Sequence, residues 1–457
     1  MTVWFDVEDL FAFVGSGLTR TSGIQRVGLE IYRAAVGLGA DVGFVRFEPG
    51  TELFRVVEWG AIAGQFAGQD GRGVIRERAK TEGAGPGWLE RVPEEIRAPL
   101  IGAAASQWGV ATALGRAGAA ALTGALTGAL IGPGNAMGRA VQRREQAREG
   151  VAFADVAKAG DTLLVLGSPW ERLYSPAARV LRGERRMRFG VLVHDLIPVR
   201  HPEWVDSGIR RLFGPWYADA LPHCDVVFAN SRHTAGEVEA FRGELGLRRT
   251  RAVDVLPMGT GFGVAGEEQG LQGEYVLVVG TMEARKNHAL AVQVWARLLA
   301  EERAGVRPAG SVPDLVFAGR VGWLVADLVA QLDRTGWLGG RVRLVEAPTD
   351  GALRGLYRGS LFTLMPSFSE GWGLPVSESL ALGKACVCSD AGALPEAGGR
   401  FCRYFDPDDL EAANRAVVSV LDDRAGLAAW EAEIRHAYRA VSWRETAQAL
   451  LGVVGAL

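Results

Sequence analysis

Hydrophobic positions along this chain fall into two alternating arrangements. Short apolar runs recur as DVGFVRF, TLLVLGS, RFGVLVHD and CDVVFANS in the first half, then YVLVVG, DLVFAGR, VRLVEAP, LFTLMPS and ACVCSD in the second. Between them lie segments whose apolar residues share one face of a helix. A strand that is apolar on both faces must be covered on both faces, and strand–helix alternation does this, so the pattern predicts parallel α/β sheets. The polar, glycine-rich stretch GTGFGVAGEEQGLQGE (259–274) interrupts the series midway, where a linker would lie. Two domains are therefore expected, divided near residue 263.

Between about residues 60 and 158 the periodicity fails and Ala and Gly dominate, which predicts an insertion or helical subdomain within the first domain. Its apolar segment from Ala117 to Gly132 is shorter than the ~20 residues that span a bilayer, and Arg116 precedes it, so no transmembrane helix is expected. Two readings stay open. The small residues of AAALTGALTGALIG suit close helix packing, whereas the flanking RAVQRREQAR could rest on anionic headgroups as a basic collar.

Composition narrows the classes. At 457 residues the chain exceeds one ordinary core. A net charge of -3 gives no global attraction to nucleic acid or acidic membranes, so any anion site must be local. Lysine is confined to Lys80, Lys158, Lys286 and Lys384, the other basic residues being arginine. Cys224, Cys386, Cys388 and Cys402 form no repeated CxxC spacing, and Met1 opens no secretory leader, which points to a reducing cytoplasm. Cys386 and Cys388 alternate in a strand-like run and read as buried packing.

In open parallel sheets ligands bind beyond the carboxyl ends of the strands. Those positions hold His194 and Asp195, Asn230 and Ser231, the segment GTMEARKN, Arg320, and the loop opening at Pro366. GTMEARKN places Gly280 at a strand end and Arg285 and Lys286 just before a helix starting near Asn287, which combines two cations with free backbone N–H groups. That suits a phosphate. The competing reading is a solvated basic turn capped by Asn287, and the scarcity of lysine weighs against it. No GxxxxGK[ST] occurs, and GSGLTRTSG departs from GxGxxG, so P-loop and dehydrogenase readings lose ground.

In PSFSEGWGLPVSESL, Pro366 ends a strand, Glu370 sits on the turn, Gly371 and Gly373 offer backbone N–H groups around an exposed Trp372, and Pro375 starts a helix bearing Glu378. One carboxylate is expected at the crevice mouth and the other deeper. Ionised carboxylates only accept hydrogen bonds, so a pair beside a cationic site suits the hydroxyls of a ribose and a sugar. His194 could equally be a satisfied strand-end histidine and Asp195 a turn cap, while Arg320 touches phosphate or pairs with a surface carboxylate. Lys384 reads as solvated, and Asp406 to Asp409 as a helix cap rather than a metal cluster.

Taken together, GTMEARKN, EGWGLPVSE and GALPE resemble the carboxyl-terminal donor domain of the retaining glycosyltransferases of family 4. SGIQRVGLEIYR, HDLIPVRHPEW and ANSRHTA resemble the acceptor domain of a bacterial subgroup that builds polysaccharides. The likeness omits residues 60–158. It implies the α/β GT-B fold, two Rossmann-like domains with parallel sheets facing a central cleft, here with the Ala/Gly-rich helical insertion in the first. The domains would be 1–262 on the acceptor side, 263–440 on the donor side, and a final helix in 441–457 packing back on the first.

By the same resemblance, Glu378 would hold the ribose, Glu370 the donor sugar, and Gly371, Trp372, Gly373 and Leu374 the sugar and diphosphate through their backbone. Arg285 and Lys286 would neutralise the diphosphate beside Gly280, Thr281 and Arg320. His194 would reach towards the reacting sugar, and Gly23 would begin a helix facing the phosphates. His194, Lys286, Arg285 and Glu370 would be the catalytic set. The implied reaction moves a sugar, mannose or rhamnose, from a nucleoside diphosphate donor to a glycan or lipid-linked acceptor, in the cytoplasm or at the inner membrane face. No metal, further cofactor or nucleic acid is expected. The rival readings are a non-catalytic GT-B partner subunit and a nucleotide-sugar epimerase.

Overall fold

The structure is a computed structural model, and it describes residues 1–15, 23–48, 53–67, 151–171, 183, 186–247, 251–261, 268 and 270–457. The first lobe is a seven-stranded sheet of β1 (Val3–Asp6), β2 (Val42–Glu48), β3 (Leu53–Val57), β4 (Thr162–Val165), β5 (Arg188–Val193), β6 (Val226–Ala229) and β7 (Asp254–Val255), in the order β3-β2-β1-β4-β5-β6-β7. All neighbours are parallel except β2 and β3. Its longer helices are α1 (Glu8–Gly15), α2 (Gly23–Gly37), α3 (Trp59–Ala67), α4 (Ser207–Ala220) and α5 (Arg232–Glu244).

The second lobe is an all-parallel sheet of β8 (Tyr275–Val279), β9 (Asp314–Gly319), β10 (Val342–Glu346), β11 (Thr363–Met365), β12 (Cys386–Ser389) and β13 (Cys402–Phe405), ordered β10-β9-β8-β11-β12-β13. Its longer helices are α6 (His288–Arg303), α7 (Ala326–Arg334), α8 (Asp350–Gly359), α9 (Leu374–Ala381), α10 (Leu410–Leu421) and α11 (Arg424–Ala437), followed by α12 (Trp443–Gly455). This is the two-lobed α/β GT-B arrangement.

The apolar runs became strands because both faces are covered. Every residue of β4, β6 and β12 is buried, and side chains such as Leu164, Phe228 and Phe317 each contribute about 1.5–3 kcal/mol by leaving water. The glycine inside RFGVLV has a packing reason: a Cβ at Gly190 would collide with Val226 and Leu164 on the flanking strands.

The structure departs from expectation in several places. Strands β1, β3, β7 and β13 add to the nine apolar runs, and β3 gives the first sheet one antiparallel edge. The region expected to be an insertion from residue 60 starts too early: α3 buries Ile62 and Phe66 in the first lobe's core, and Phe153 packs there as well. Residues 68–150, with the two readings of AAALTGALTGALIG, lie outside the described residues, as do 16–22 of GSGLTRTSG and the division near 263. Among the described residues no helix is long and apolar enough to cross a membrane.

Helix α12 is last in the chain, yet it buries Ala447, Leu450 and Val454 in the first lobe's core. Ser442 and Glu445 close a capping box at its start, Thr446 Oγ1 donates to the Pro257 carbonyl at 2.7 Å, and Trp443 lies where a Cβ on Gly259 would be. The final segment thus ties the second lobe to the first.

Candidate functional site

The carboxyl ends of the two sheets line one cavity of about 480 Å³. All thirteen residues singled out from the sequence are on its wall. His194 and Gly23 come from the first lobe; Gly280, Thr281, Arg285, Lys286, Arg320, Glu370, Gly371, Trp372, Gly373, Leu374 and Glu378 come from the second.

The cationic pair forms locally. Ala284–Lys286 is a single 3-10 turn, and Asn287, left-handed at φ 51°, ends it and caps α6, its Oδ1 accepting from Leu290 N. Phe368 N donates to the Arg285 carbonyl at 2.9 Å, which brings the glutamate loop against the turn. Lys286 Nζ then donates to Glu370 Oε1 at 2.6 Å and Arg285 Nη1 to Oε2 at 2.7 Å. Ser367 Oγ adds a third donor at 2.8 Å, and Arg285 Nη2 also binds Glu283 at 2.6 Å. Burial pushes the Glu370 carboxyl up, but Arg285 and Lys286 outweigh it and hold it near 2. Burial opposes the Arg285 charge, yet Glu370, Glu283 and Asp195 raise its pKa above the ordinary value.

Both glutamates are buried, Glu370 at 7% and Glu378 at 3% exposure, so neither sits at an open mouth. Glu378, on α9, receives Arg26 Nη1 at 2.9 Å on one oxygen and the Tyr357 hydroxyl at 2.9 Å on the other. Burial raises its carboxyl despite both partners. Trp372 is not exposed as expected. It packs between the apolar cores of both lobes, and its indole Nε1 finds no hydrogen-bond partner among the described residues. Gly373 caps α9 at φ 102°, a conformation that glycine adopts without strain.

His194 is held as a neutral ring. Its Nε2 lies 2.8 Å from the Leu166 carbonyl and so carries the proton, and burial lowers its pKa to about 4 against that bond. Asp195 Oδ1 accepts from Ile197 N at 3.1 Å, the turn cap among its two readings, and burial raises its carboxyl although Arg285 pulls the other way. Arg320 makes no ion pair among the described residues, so the surface pairing considered for it is not seen. Lys384 was expected to be solvated, but it binds Glu431 at 2.6 Å. Asp409 caps α10 as expected.

The lobes touch around this cavity. A Cβ on Gly371 would overlap the His194 carbonyl, and Thr234 Oγ1 reaches both the His194 and Gly371 carbonyls at 3.4 Å. Glu396, from GALPE, accepts from Arg232 N at 2.9 Å and His233 N at 2.7 Å, and so caps α5 from the opposite lobe. Trp204 stacks on Phe368 with ring centroids 5.4 Å apart.

Arg26, Tyr357, Glu283 and Glu396 were not among the sequence candidates. Arg26 left one signal: a cation in the first turn of a helix opposes the macrodipole, so an acidic partner was to be expected.

The family described as Glycosyl transferases group 1 matches residues 273–423, the span that holds every second-lobe residue of the cavity. Residues 273–423 are thus similar to the group 1 glycosyltransferases. Among the chain's relatives, O-antigen chain mannosyltransferase B of Escherichia coli is 34% identical over 149 residues, 33% of this chain and 37% of that protein. The serotype-specific mannosyltransferase WbdA of Escherichia coli is 26% identical over 253 residues, 51% of this chain and 30% of that protein. The chain thus spans roughly a third of the length of these curated relatives. A solved structure of Anabaena Alr3699/HepE in complex with UDP-glucose superimposes with a TM-score of 0.50 at 15% identity, covering 65% of this chain and 79% of that one. At that identity the likeness concerns the fold.

Proposed function

We propose that the chain moves a sugar, mannose or rhamnose, from a nucleoside diphosphate donor to a hydroxyl of a glycan or lipid-linked acceptor, with retention at the anomeric carbon, during synthesis of a cell-surface polysaccharide. The observation that carries this reading is the Lys286–Glu370–Arg285 cluster on the cavity wall, directly ahead of α6. The mannosyltransferase relatives support mannose. An acceptor on a lipid would place the chain at the inner membrane face.

On this reading the donor diphosphate takes over hydrogen bonds from Arg285 and Lys286, and Glu370, released from part of its pairing, accepts from the sugar hydroxyls. One anion replaces another at the same cations, so no buried charge is left uncompensated. Arg320, without an ion pair among the described residues, brings additional positive charge. As the glycosidic bond breaks, charge grows on the leaving diphosphate and both cations hold it more tightly than in the ground state. The acceptor attacks on the same face, its proton passing to the leaving phosphate oxygen. Glu370, bound by two cations, serves as a hydrogen-bond acceptor for the sugar rather than as a nucleophile. His194, neutral with Nε2–H committed to Leu166, orients rather than donates a proton.

The reading is tested by incubating the chain with GDP-mannose, dTDP-rhamnose and UDP-sugars, with and without a lipid-linked oligosaccharide. The expected result is free nucleoside diphosphate and a lengthened acceptor, only when both substrates are present. Conversion of donor without acceptor would instead identify an epimerase, and donor binding without turnover a non-catalytic subunit.

A further inference from the structure

A second cluster of chemically capable side chains lies in the donor lobe, off the cavity wall. Cys386 on β12 and Cys402 on β13 are register partners on adjacent parallel strands, and Cys388 stands two residues along β12 on the same face. All three thiols are free and buried, and their Sγ atoms lie within 4.8 Å of one another. Small apolar packing does not require three sulfurs to converge; a soft ion does. A metal–sulfur bond of about 2.3 Å puts the corners of a trigonal site about 4 Å apart, which fits inside that spread.

We propose that Cys386, Cys388 and Cys402 bind a single soft, monovalent metal ion of the copper(I) class in three-coordinate sulfur geometry. Among the described residues no histidine, carboxylate or further cysteine joins the group, whereas structural zinc calls for four ligands. Thiolate sulfur selects copper(I) among the ions that accept fewer ligands.

Charge gives the same answer. The surroundings are the apolar core of the lobe, including Val376, Leu394 and Val417, where a net charge is costly. One thiolate and two thiols around a monovalent ion make a neutral site: the ion replaces one S–H proton, a sulfur–metal bond forms, one proton leaves to solvent and no electron is transferred. Cys386 stands between the other two, register partner of Cys402 across the strands and two residues from Cys388 along its own. The strand bearing two of the cysteines is also hydrogen-bonded to the loop on the cavity wall. Strand β12 ends at Ser389, whose Oγ donates to the Ser367 carbonyl at 2.5 Å, and Ala393 N donates to the Glu370 carbonyl at 2.9 Å.

The test uses the full reduced chain under anaerobic conditions, titrated with copper(I) in acetonitrile–buffer against bicinchoninate. The expected result is one ion taken from the chelator per chain, ultraviolet sulfur-to-copper charge-transfer absorption, about one proton released and a raised thermal midpoint. Cys386→Ser, Cys388→Ser and Cys402→Ser should each lose the absorption and the competition, and Cys224→Ser, altered in the other lobe, should keep both. Because a core hydroxyl can unfold the lobe, Cys402→Ala is measured alongside, and only variants with wild-type near-ultraviolet circular dichroism are compared. Copper left entirely with the chelator, or taken up equally by all the variants, overturns the site. Zinc(II) or cadmium(II) bound more tightly than copper(I), with three protons released, overturns the monovalent assignment.

Discussion

Arg26 and Glu378, 352 positions apart in the chain, meet at 2.9 Å between the two lobes. The guanidinium also donates to the Gly261 carbonyl at 2.9 Å and lies 3.9 Å from Asp350, so α2 of the first lobe is tied to α8 and α9 of the second. The carboxylate assigned by likeness to the donor ribose therefore already carries a protein cation, and on that assignment donor binding and the contact between the lobes would draw on the same group. Arg26→Met should leave Glu378 buried without a cation, a loss on the order of 3–5 kcal/mol. The Glu378 carboxyl, already raised by burial, should rise further and take up a proton sooner as pH falls. The expected outcome is a lower thermal midpoint and a donor KM that climbs towards acid more steeply than in wild type. Unchanged midpoint and KM in this variant would leave the Arg26–Glu378 contact without consequence.

The two cations in the cavity should separate kinetically from Arg320. Lys286 already holds Glu370, so its charge is balanced in the resting site and its additional value appears as charge develops on the leaving group. Lys286→Ala should lower kcat by roughly 10²–10³, the scale of one lost transition-state donor, with a smaller change in donor KM. Arg320→Ala should chiefly raise donor KM, because its charge attracts the diphosphate in the ground state as well. Steady-state kinetics with varied donor decide this, and a Lys286→Ala enzyme with near-normal turnover would remove the role given to that residue.

Local chemistry was legible in the sequence, and long-range partnership was not. Asn287 and Asp409 were readable as caps because a cap bonds to an N–H three residues ahead. The buried central strands β4, β5, β6, β8, β9, β11 and β12 were readable because both faces are apolar, whereas β1, equally buried, was missed. Strand β3 was missed because Arg55 breaks the apolar run at an antiparallel edge, and β13 because its middle residues are only half-buried. Trp372 was taken as exposed for a similar reason: it is covered by apolar cores from both lobes, one of them belonging to residues hundreds of positions away. Most of the thirteen cavity residues were found from their place after strands and in short motifs, and Gly23 from the family resemblance. Arg26 was not, since its acidic partner becomes a neighbour only when the two lobes meet.

At Gly371 the loop that carries Glu370 comes up against the first lobe. A Cβ there would overlap a backbone atom, the His194 carbonyl, and would crowd the Asp195 side chain, so no rotamer change can relieve it. Gly371→Ala should force the lobes apart at this point and lose turnover while leaving each sheet folded. The measurement pairs turnover with small-angle scattering. The expected result is a larger radius of gyration and at least a tenfold loss of kcat/KM, about 1.4 kcal/mol of transition-state stabilisation. A variant with wild-type scattering and kinetics would show that the approach is not needed.

His288 offers a reading of pH dependence that one substitution isolates. It is buried on α6 against the Phe317 ring, and neither ring nitrogen finds a hydrogen-bond partner among the described residues. Burial, with Lys286 nearby, lowers its pKa from 6.5 to about 3. The unfolded chain therefore binds this proton from pH 6.5 downward while the folded chain refuses it until about 3, so the stability tied to the neutral ring is lost as pH falls through that window. Other groups blur the wild-type profile. Glu370, held near 2, also costs stability below its ordinary 4.5, whereas Asp9, pushed up by burial to about 6, takes its proton more readily when folded and acts in the opposite direction. The difference between wild type and His288→Phe cancels these common contributions. Phenylalanine fills the same space without a titrating nitrogen, so the variant should gain on wild type by about 2 kcal/mol between pH 7 and 5, one proton acting over the 1.5 pH units below 6.5. Urea unfolding at the two pH values measures the gap, and a gap that stays constant would mean that the His288 ring is protonated within the fold.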